Sequence, residues 1–355
     1  MTMEFVLYGA TGYTGELIAR RAVARGLSPV LAGRSAEPLA RLAAELGLAH
    51  RAAAVDDSAA LDRAIGDLPL VLNCAGPFSR TADAVAESCL RRRAHYLDIT
   101  GEMAVFEAMA ARGAAAERAG VMLLPGVGFD VVPSDCLAAY VAQKLPSATS
   151  LAIAIQGSGG LSRGTAITAL EGFGEGRGSG AVRKNGRIVR VPPAWKTRRV
   201  DFGTGPVLVT TMPWGDVATA YYSTGIPDVE VYMAIPAGVR RVMTYGRFLL
   251  PILASSPVRR WLTARVRRGS SGPSAEHRAR GRSRFWAEAR DAAGRTASAT
   301  LTAPEGYELT VRAAIECVSR ALRGEVRIGF QTPSLAYGAD LVLAIEGVQR
   351  QTDSK

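Results

Sequence analysis

Glycines at positions 9, 12 and 15 lie in FVLYGATGYTG (residues 5–15), between an apolar run, Phe5 to Leu7, and a helical pattern, Glu16 to Arg25. Strand, glycine loop and helix in that order form a cradle for a dinucleotide pyrophosphate. Gly9 permits the tight turn, Gly12 lets the backbone approach the phosphates, and Gly15 lets helix and strand pack closely. Amides at the start of the helix lack intrahelical acceptors and face the anion. Thr11, Tyr13 and Thr14 complete the loop as candidate cofactor contacts. Where the second strand ends, in LAGRS, Arg34 and Ser35 replace the carboxylate that selects NAD by holding the ribose 2′-hydroxyl. Arginine pairs with a 2′-phosphate and stacks on adenine, and serine adds a donor, so the cofactor expected is NADP(H). Asp56, after the third strand, either faces the adenine or caps the next helix. Ala75, Gly76, Pro77 and Phe78, in NCAGPF (73–78), follow the fourth strand near the nicotinamide half of such a site.

These residues need a parallel, doubly wound sheet to bring them together, and the first 125 residues read as one. Expected strands are Glu4–Tyr8, Pro29–Ala32, Arg51–Val55, Leu70–Asn73, Tyr96–Ile99 and Val121–Leu124. Expected helices are Gly15–Arg25, Glu37–Leu46, Ser58–Ile65, Arg80–Arg92 and Ala104–Arg118. The alternation predicts an α/β fold: a Rossmann-type domain with right-handed crossovers. After Pro125 the rhythm changes to a helix at Val132–Lys144, glycine-dense loops, and an antiparallel hairpin from Phe285–Asp291 and Thr296–Thr302. The chain thus divides into a dinucleotide-binding domain (1–146), an α+β substrate domain (147–329) and a C-terminal helix packing back on the first domain (330–355). Gly269–Arg284 reads as a mobile loop.

The chain carries 355 residues and a net charge of +11. Residues 240–284 hold 12 arginines, no lysine and one acid, Glu276, so the excess is local. It predicts an acidic partner there: an anionic membrane surface or an acyl carrier protein, weighed against a plain solvated face. Nucleic acid is not expected, since no stacking pattern or helix-turn-helix signature accompanies the charge. The first residues already read as a strand, so no signal peptide is expected, and no apolar stretch is long enough for a bilayer. Cys74, Cys89, Cys136 and Cys317 form no CxxC pair and read as reduced thiols. His50, His95 and His277 lack metal-ligand spacing, so no metal is expected. The location expected is cytoplasmic, or peripheral at a membrane through the basic segment. The oligomeric state is not legible.

GATGYTG at 9–15, AGRS at 32–35, NCAGPF at 73–78, HYLDITGE at 95–102 and LPGVGFDVVPSDC at 124–136 together resemble the saccharopine dehydrogenase-like reductases. The trans-acting enoyl reductase branch, known from actinobacterial lipid and polyketide synthesis, is the most similar. The resemblance implies a two-domain fold and NADPH-dependent reduction of a 2,3-enoyl thioester, small or carrier-bound. It departs at Ser162-Arg163-Gly164-Thr165, where the family tends to have Ser-Gly-Gly-Thr; Arg163 facing the cleft would alter what binds. Such a reaction needs donors for a thioester oxyanion and a proton for the second carbon. Backbone amides from Gly126 to Phe129 are candidate oxyanion donors and substrate contacts. Tyr96, Asp98 and Thr100 alternate onto one face of the fifth strand as candidate catalytic groups, with Glu102 beside them. Scaffolding is the competing reading for all four, and Asp130 reads as a substrate contact or a helix cap. Two other readings stay open: a C=N reductase or amino-acid dehydrogenase of the saccharopine type, and a non-catalytic NADP(H)-binding protein acting at a membrane or partner.

Overall fold

The computed structural model describes residues 3–157, 180–245 and 272–352. The chain opens with β1 (Glu4–Tyr8), α1 (Tyr13–Ala24), β2 (Ser28–Gly33), α2 (Ala36–Leu46), β3 (His50–Ala52) and α3 (Ser58–Ile65). There follow β4 (Leu70–Asn73), α4 (Phe78–Arg92), β5 (His95–Asp98), α5 (Met103–Ala111), α6 (Gly113–Ala119) and β6 (Met122–Leu124). The middle of the chain forms α7 (Val132–Lys144), β7 (Ala148–Gln156), β8 (Gly180–Lys184), β9 (Arg187–Val191), β10 (Thr197–Asp201), β11 (Pro206–Thr211), α8 (Asp216–Thr224), β12 (Asp228–Met233) and α9 (Ala237–Tyr245). After it come α10 (Ala275–Arg280), β13 (Arg282–Asp291), β14 (Thr296–Pro304), α11 (Gly306–Leu322), β15 (Gly329–Phe330), α12 (Pro333–Tyr337), a 3-10 turn (Leu341–Ala344) and β16 (Gln349–Thr352).

Two units form. One comprises Met1–Val132 with Tyr307–Glu346, the other Pro133–Gly306 with Gly347–Lys355. The boundaries differ from the sequence expectation because the chain returns to the first unit with α11 and leaves it again at β16. The C-terminal helix expected within 330–355 is instead α12 and a 3-10 turn, and β16 pairs antiparallel with β14 in the second unit.

The first unit is built on a parallel sheet in the order β15-β6-β5-β4-β1-β2-β3. Its central strands β1 and β4 are largely apolar, as expected of strands covered by helices on both faces. Phe5, Val6, Leu7 and Tyr8 of β1 are all buried, as are Leu70, Val71 and Leu72 of β4. Two expected elements differ. The third strand ends at Ala52, where a turn leads to Asp57, whose carboxylate caps α3 by accepting the Ala60 amide at 2.8 Å. The helix expected over 104–118 is two, α5 and α6, which meet at Arg112, whose φ of −87° and ψ of −2° break the helical run.

The second unit carries a nine-stranded sheet ordered β10-β11-β12-β7-β13-β14-β16, with β8 paired to β12 and to β9. Strands β7 and β12 are parallel, and the expected hairpin is β13–β14. Its turn uses Gly294 at φ +83° and the Asp291 carboxylate, which accepts the Arg295 amide at 2.9 Å. Among the described residues no helix is long and apolar enough to cross a membrane.

One bond in the parallel sheet depends on protonation. The Met122 amide, on a fully buried residue, donates to Nδ1 of His95 at 3.1 Å. Burial holds the His95 imidazole below its ordinary value, so it is neutral and able to accept. The unfolded chain takes up that proton first as pH falls, so the bond's contribution is present above about pH 6.5 and lost on acidification. His95→Leu is expected to cost about 1–3 kcal/mol at neutral pH, the scale of an unsatisfied buried amide. Urea unfolding should show the gap between the two proteins narrowing from neutral to mildly acidic pH; a gap independent of pH contradicts the assignment.

Candidate functional site

The strand order places β1 beside β4, with β2 on the far side of β1, so the crossovers diverge at this point and leave a crevice beyond the strand ends. Here the glycine loop is lashed to both neighbours. The Gly9 amide donates to Ala32 O at 2.8 Å, and the Cys74 amide donates to Tyr8 O at 2.7 Å. Gly9 has φ +82°, and a Cβ on it would lie 2.6 Å from the Ala75 nitrogen. A Cβ on Gly15 would lie 2.3 Å from Gly9 O. Both glycines are therefore demanded by the protein's own packing. Gly12 is different: a Cβ there would meet a single protein atom, Gly9 O at 3.3 Å, and otherwise points into open space. The first amide of α1 to find an intrahelical acceptor is Glu16, on Gly12 O at 2.8 Å, so the Thr14 and Gly15 amides ahead of it make no hydrogen bond among the described residues. Open space bounded by unspent amides at a helix N-terminus is an anion cradle.

At the other end of the crevice Arg34 and Ser35 are both exposed. Arg34 forms no ion pair among the described residues, and Ser35 sits at the N-cap of α2 without using its hydroxyl there. Asp56 is exposed too, and it does not cap α3, since Asp57 does. Burial raises the Tyr8 hydroxyl above its ordinary value, while Arg34 draws it down and Asp56 pushes it up, so both charges flank this strand end. These side chains are the donors and acceptor that a phosphorylated adenosine needs, and the fold leaves them unspent. Residues Ala75 to Phe78 run past Gly9 into α4, with Pro77 at its N-cap.

The groups expected to do chemistry lie elsewhere than at the crevice surface. Tyr96, Asp98 and Thr100 are all wholly buried. Asn73 Nδ2 donates to the Tyr96 hydroxyl at 3.3 Å, and that hydroxyl donates to Asp98 Oδ2 at 2.7 Å. Asp98 Oδ1 accepts the amides of Thr100 and Gly126, each at 2.9 Å. Burial pushes the Asp98 carboxyl up to about 6, against the lowering pull of the Thr100 amide, the Tyr96 hydroxyl and the Gly126 amide. Burial and Asp98 together raise Tyr96 well above its ordinary value. Thr100 Oγ1 accepts the Glu102 amide at 3.0 Å, and Glu102 spreads its carboxylate over the Phe78 and Ser79 amides at 2.8 and 3.0 Å. Four residues on alternate positions thus form a clasp that joins the ends of β4, β5 and β6 to the start of α4.

The glycine-rich run after β6 is similarly committed. Of the amides expected to face an oxyanion, Gly126 donates to Asp98 Oδ1, Val127 donates to Asp98 O at 2.7 Å, and Phe129 donates to Thr310 Oγ1 at 3.0 Å. Gly126 and Phe129 therefore do not present donors to a substrate. Gly126 also has φ +79°, and Phe106 would lie 2.9 Å from its Cβ. Asp130 stands one residue before the N-cap position of α7, and its Oδ2 would be 2.5 Å from a Cβ on Gly101, so it packs over the turn after β5. Burial pushes its carboxyl up to about 7. Arg163 and most of the basic segment, with its apolar stretch Phe248–Ala254 and Trp261, lie outside the described residues.

Two contacts had no signal in the sequence. The Tyr307 ring meets the Tyr13 ring edge-on at a centroid distance of 5.1 Å, and Thr310 holds the Phe129 amide. Both come from α11, far in sequence from the segments they brace, with Thr310 181 residues from Phe129; pattern and spacing could not assign that helix to this unit.

Comparison with known proteins agrees with this geometry. Residues 5–124 match the family described as Saccharopine dehydrogenase NADP binding domain. The chain is 29% identical to a human saccharopine dehydrogenase-like oxidoreductase over 216 residues, 53% of this chain and 50% of that protein. It is 33% identical to a trans-acting enoyl reductase of Mycobacterium leprae over 140 residues, 37% of this chain and 34% of that protein. The chain spans about half the length of the curated relatives it matches. In fold it is similar to the apo saccharopine dehydrogenase (L-Glu forming) of Saccharomyces cerevisiae, with a TM-score of 0.66 at 12% identity, covering 99% of this chain and 100% of that one. Sequence match and strand-end geometry converge on residues 5–124, the span similar to the NADP binding domain of saccharopine dehydrogenase.

Proposed function

We propose that the chain is an NADPH-dependent reductase acting on the C=C bond of a 2,3-enoyl thioester, free or carrier-bound, in lipid or polyketide synthesis. The observation that carries the coenzyme part is the open space at Gly12, set between the unspent amides of Thr14 and Gly15 and the unspent side chains of Arg34 and Ser35. Similarity to the mycobacterial trans-acting enoyl reductase supports the acceptor.

Bound NADPH would supply the hydride. The chain's own residues do the rest. The Thr14 and Gly15 amides hold the pyrophosphate, Arg34 and Ser35 hold the 2′-phosphate, and Asp56 faces the adenosine. Ala75 to Phe78 wall the nicotinamide half. Tyr96, Asp98 and Thr100 act by position: they fix the strand ends and the 126–129 run against which an acceptor rests. Asp130, with a carboxyl near neutrality, is the group that holds a proton at Oδ for the second carbon.

Loss of reduced nicotinamide absorbance with a crotonyl-type thioester tests the acceptor. Turnover with the thioester and none with imines is expected; turnover with imines alone, or tight binding without turnover on either, contradicts the reading. For the coenzyme, Arg34→Asp should weaken NADPH roughly tenfold or more while leaving NADH within a few-fold, the scale of a lost charged hydrogen bond. Equal losses contradict the 2′-phosphate role. Gly12→Val should keep a cooperative unfolding transition yet bind neither nucleotide, whereas Gly15→Val should lose both fold and binding. A Gly12→Val protein that retains affinity contradicts the cradle.

A further inference from the structure

A second polar cavity of about 210 Å³ opens in the first unit, between α1, α11 and the residues that follow the 3-10 turn. Four arginines line it: Arg21 from α1, Arg25 just past its end, Arg312 from α11 and Arg323 just beyond. It is separate from the coenzyme crevice. Helices α1 and α11 start side by side, where Tyr13 meets Tyr307, and at about 1.5 Å per residue Arg21 and Arg25 lie roughly 12–18 Å down α1 from Tyr13.

Arg323 is paired with Glu325 at 3.1 Å, and the wall's Glu316 is paired with Arg320 at 2.7 Å, but Arg21 and Arg25 are poorly matched by the protein itself. Arg21, Arg25 and Arg312 converge on one carboxylate, Glu346, at 3.6, 3.9 and 3.7 Å, beyond direct hydrogen-bond reach. Glu346 is 69% exposed, so solvent competes for it. Arg21 and Arg25 have no other acidic partner among the described residues. Arg312 is held ready: its Nε donates to Glu308 at 2.8 Å and one terminal nitrogen donates to Glu346 O at 2.7 Å. Basic residues in the last turn of α1 are the ordinary complement of its dipole. A guanidinium fixed from a different helix and aimed at the same point is not, nor is a cavity several times the roughly 30 Å³ that a water occupies in the liquid.

We propose that this cavity is a binding site for a phosphate monoester or pyrophosphate group, whose several oxygens reach all three guanidinium groups where one carboxylate cannot. The group could be borne by a free metabolite or by a lipid headgroup. Ser319 supplies a further donor at the wall. Glu346 is the internal competitor that the ligand displaces.

The test uses the full chain saturated with NADPH, so that the glycine loop is filled, and titrates inorganic pyrophosphate by calorimetry at physiological salt. One binding event is expected, weakened at least roughly tenfold in a double Arg21→Ala, Arg25→Ala variant and strengthened in Glu346→Gln. Parallel sedimentation with phosphatidic-acid vesicles identifies the source: vesicle binding that pyrophosphate displaces marks a lipid headgroup, and pyrophosphate binding without vesicle binding marks a free ligand. No heat with pyrophosphate and no vesicle binding, or binding that the double variant leaves unchanged, overturns the proposal. Unchanged NADPH affinity in each variant confirms that its first unit is folded.

Discussion

Gly9 and Gly15 hold the first strand, the first helix and the end of the fourth strand at separations that no side chain would allow. The hypothetical Cβ distances, 2.6 Å to the Ala75 nitrogen and 2.3 Å to Gly9 O, leave no room for even a methyl group. That close approach has a consequence for chemistry. It draws the start of α1 and the 74–78 segment to the two sides of one crevice, so that unspent helix amides and the entry to α4 face the same space. A polar clasp keeps those strand ends in register. Asp98 accepts from two loops at once, and Glu102 closes the first turn of α4.

The carboxylate at the centre of that clasp is in an unfavourable place for a charge, and its hydrogen bonds only partly offset its burial. Such a group ties together backbone segments that have no mutual ladder, since each amide it accepts would otherwise be buried without a partner. Asp130, also raised by burial, packs against the glycine at 101.

Local pattern carried much of this. Glycines 9, 12 and 15, the Arg34–Ser35 strand end and the six-strand rhythm need only neighbours in sequence, and each could be read there. Alternation puts Tyr96 and Asp98 on one face, although the strand ends at Asp98 and Thr100 lies beyond it, and period two cannot say whether a face looks at a ligand or at another strand's loop. It looks at Asn73 and Gly126, which lie 23 and 28 residues from their partners. The same limit hid α11: its amphipathic pattern is ordinary, and only tertiary contacts with Tyr13 and Phe129 show which unit it completes. The tail misled for a simpler reason. Its helical composition is cut by Gly338 at φ +83° and Gly347 at φ +86°, conformations a continuing helix cannot hold, so the chain turns into β16.

The central claim is that main-chain amides at the start of α1 hold the coenzyme's phosphates. Amide hydrogen exchange of the full chain with and without NADPH tests it most directly. The account predicts slowed exchange at Thr14 and Gly15 on NADPH addition, with little change in the β13–β14 hairpin of the other unit. Tight NADPH binding with no protection at those two amides would contradict it.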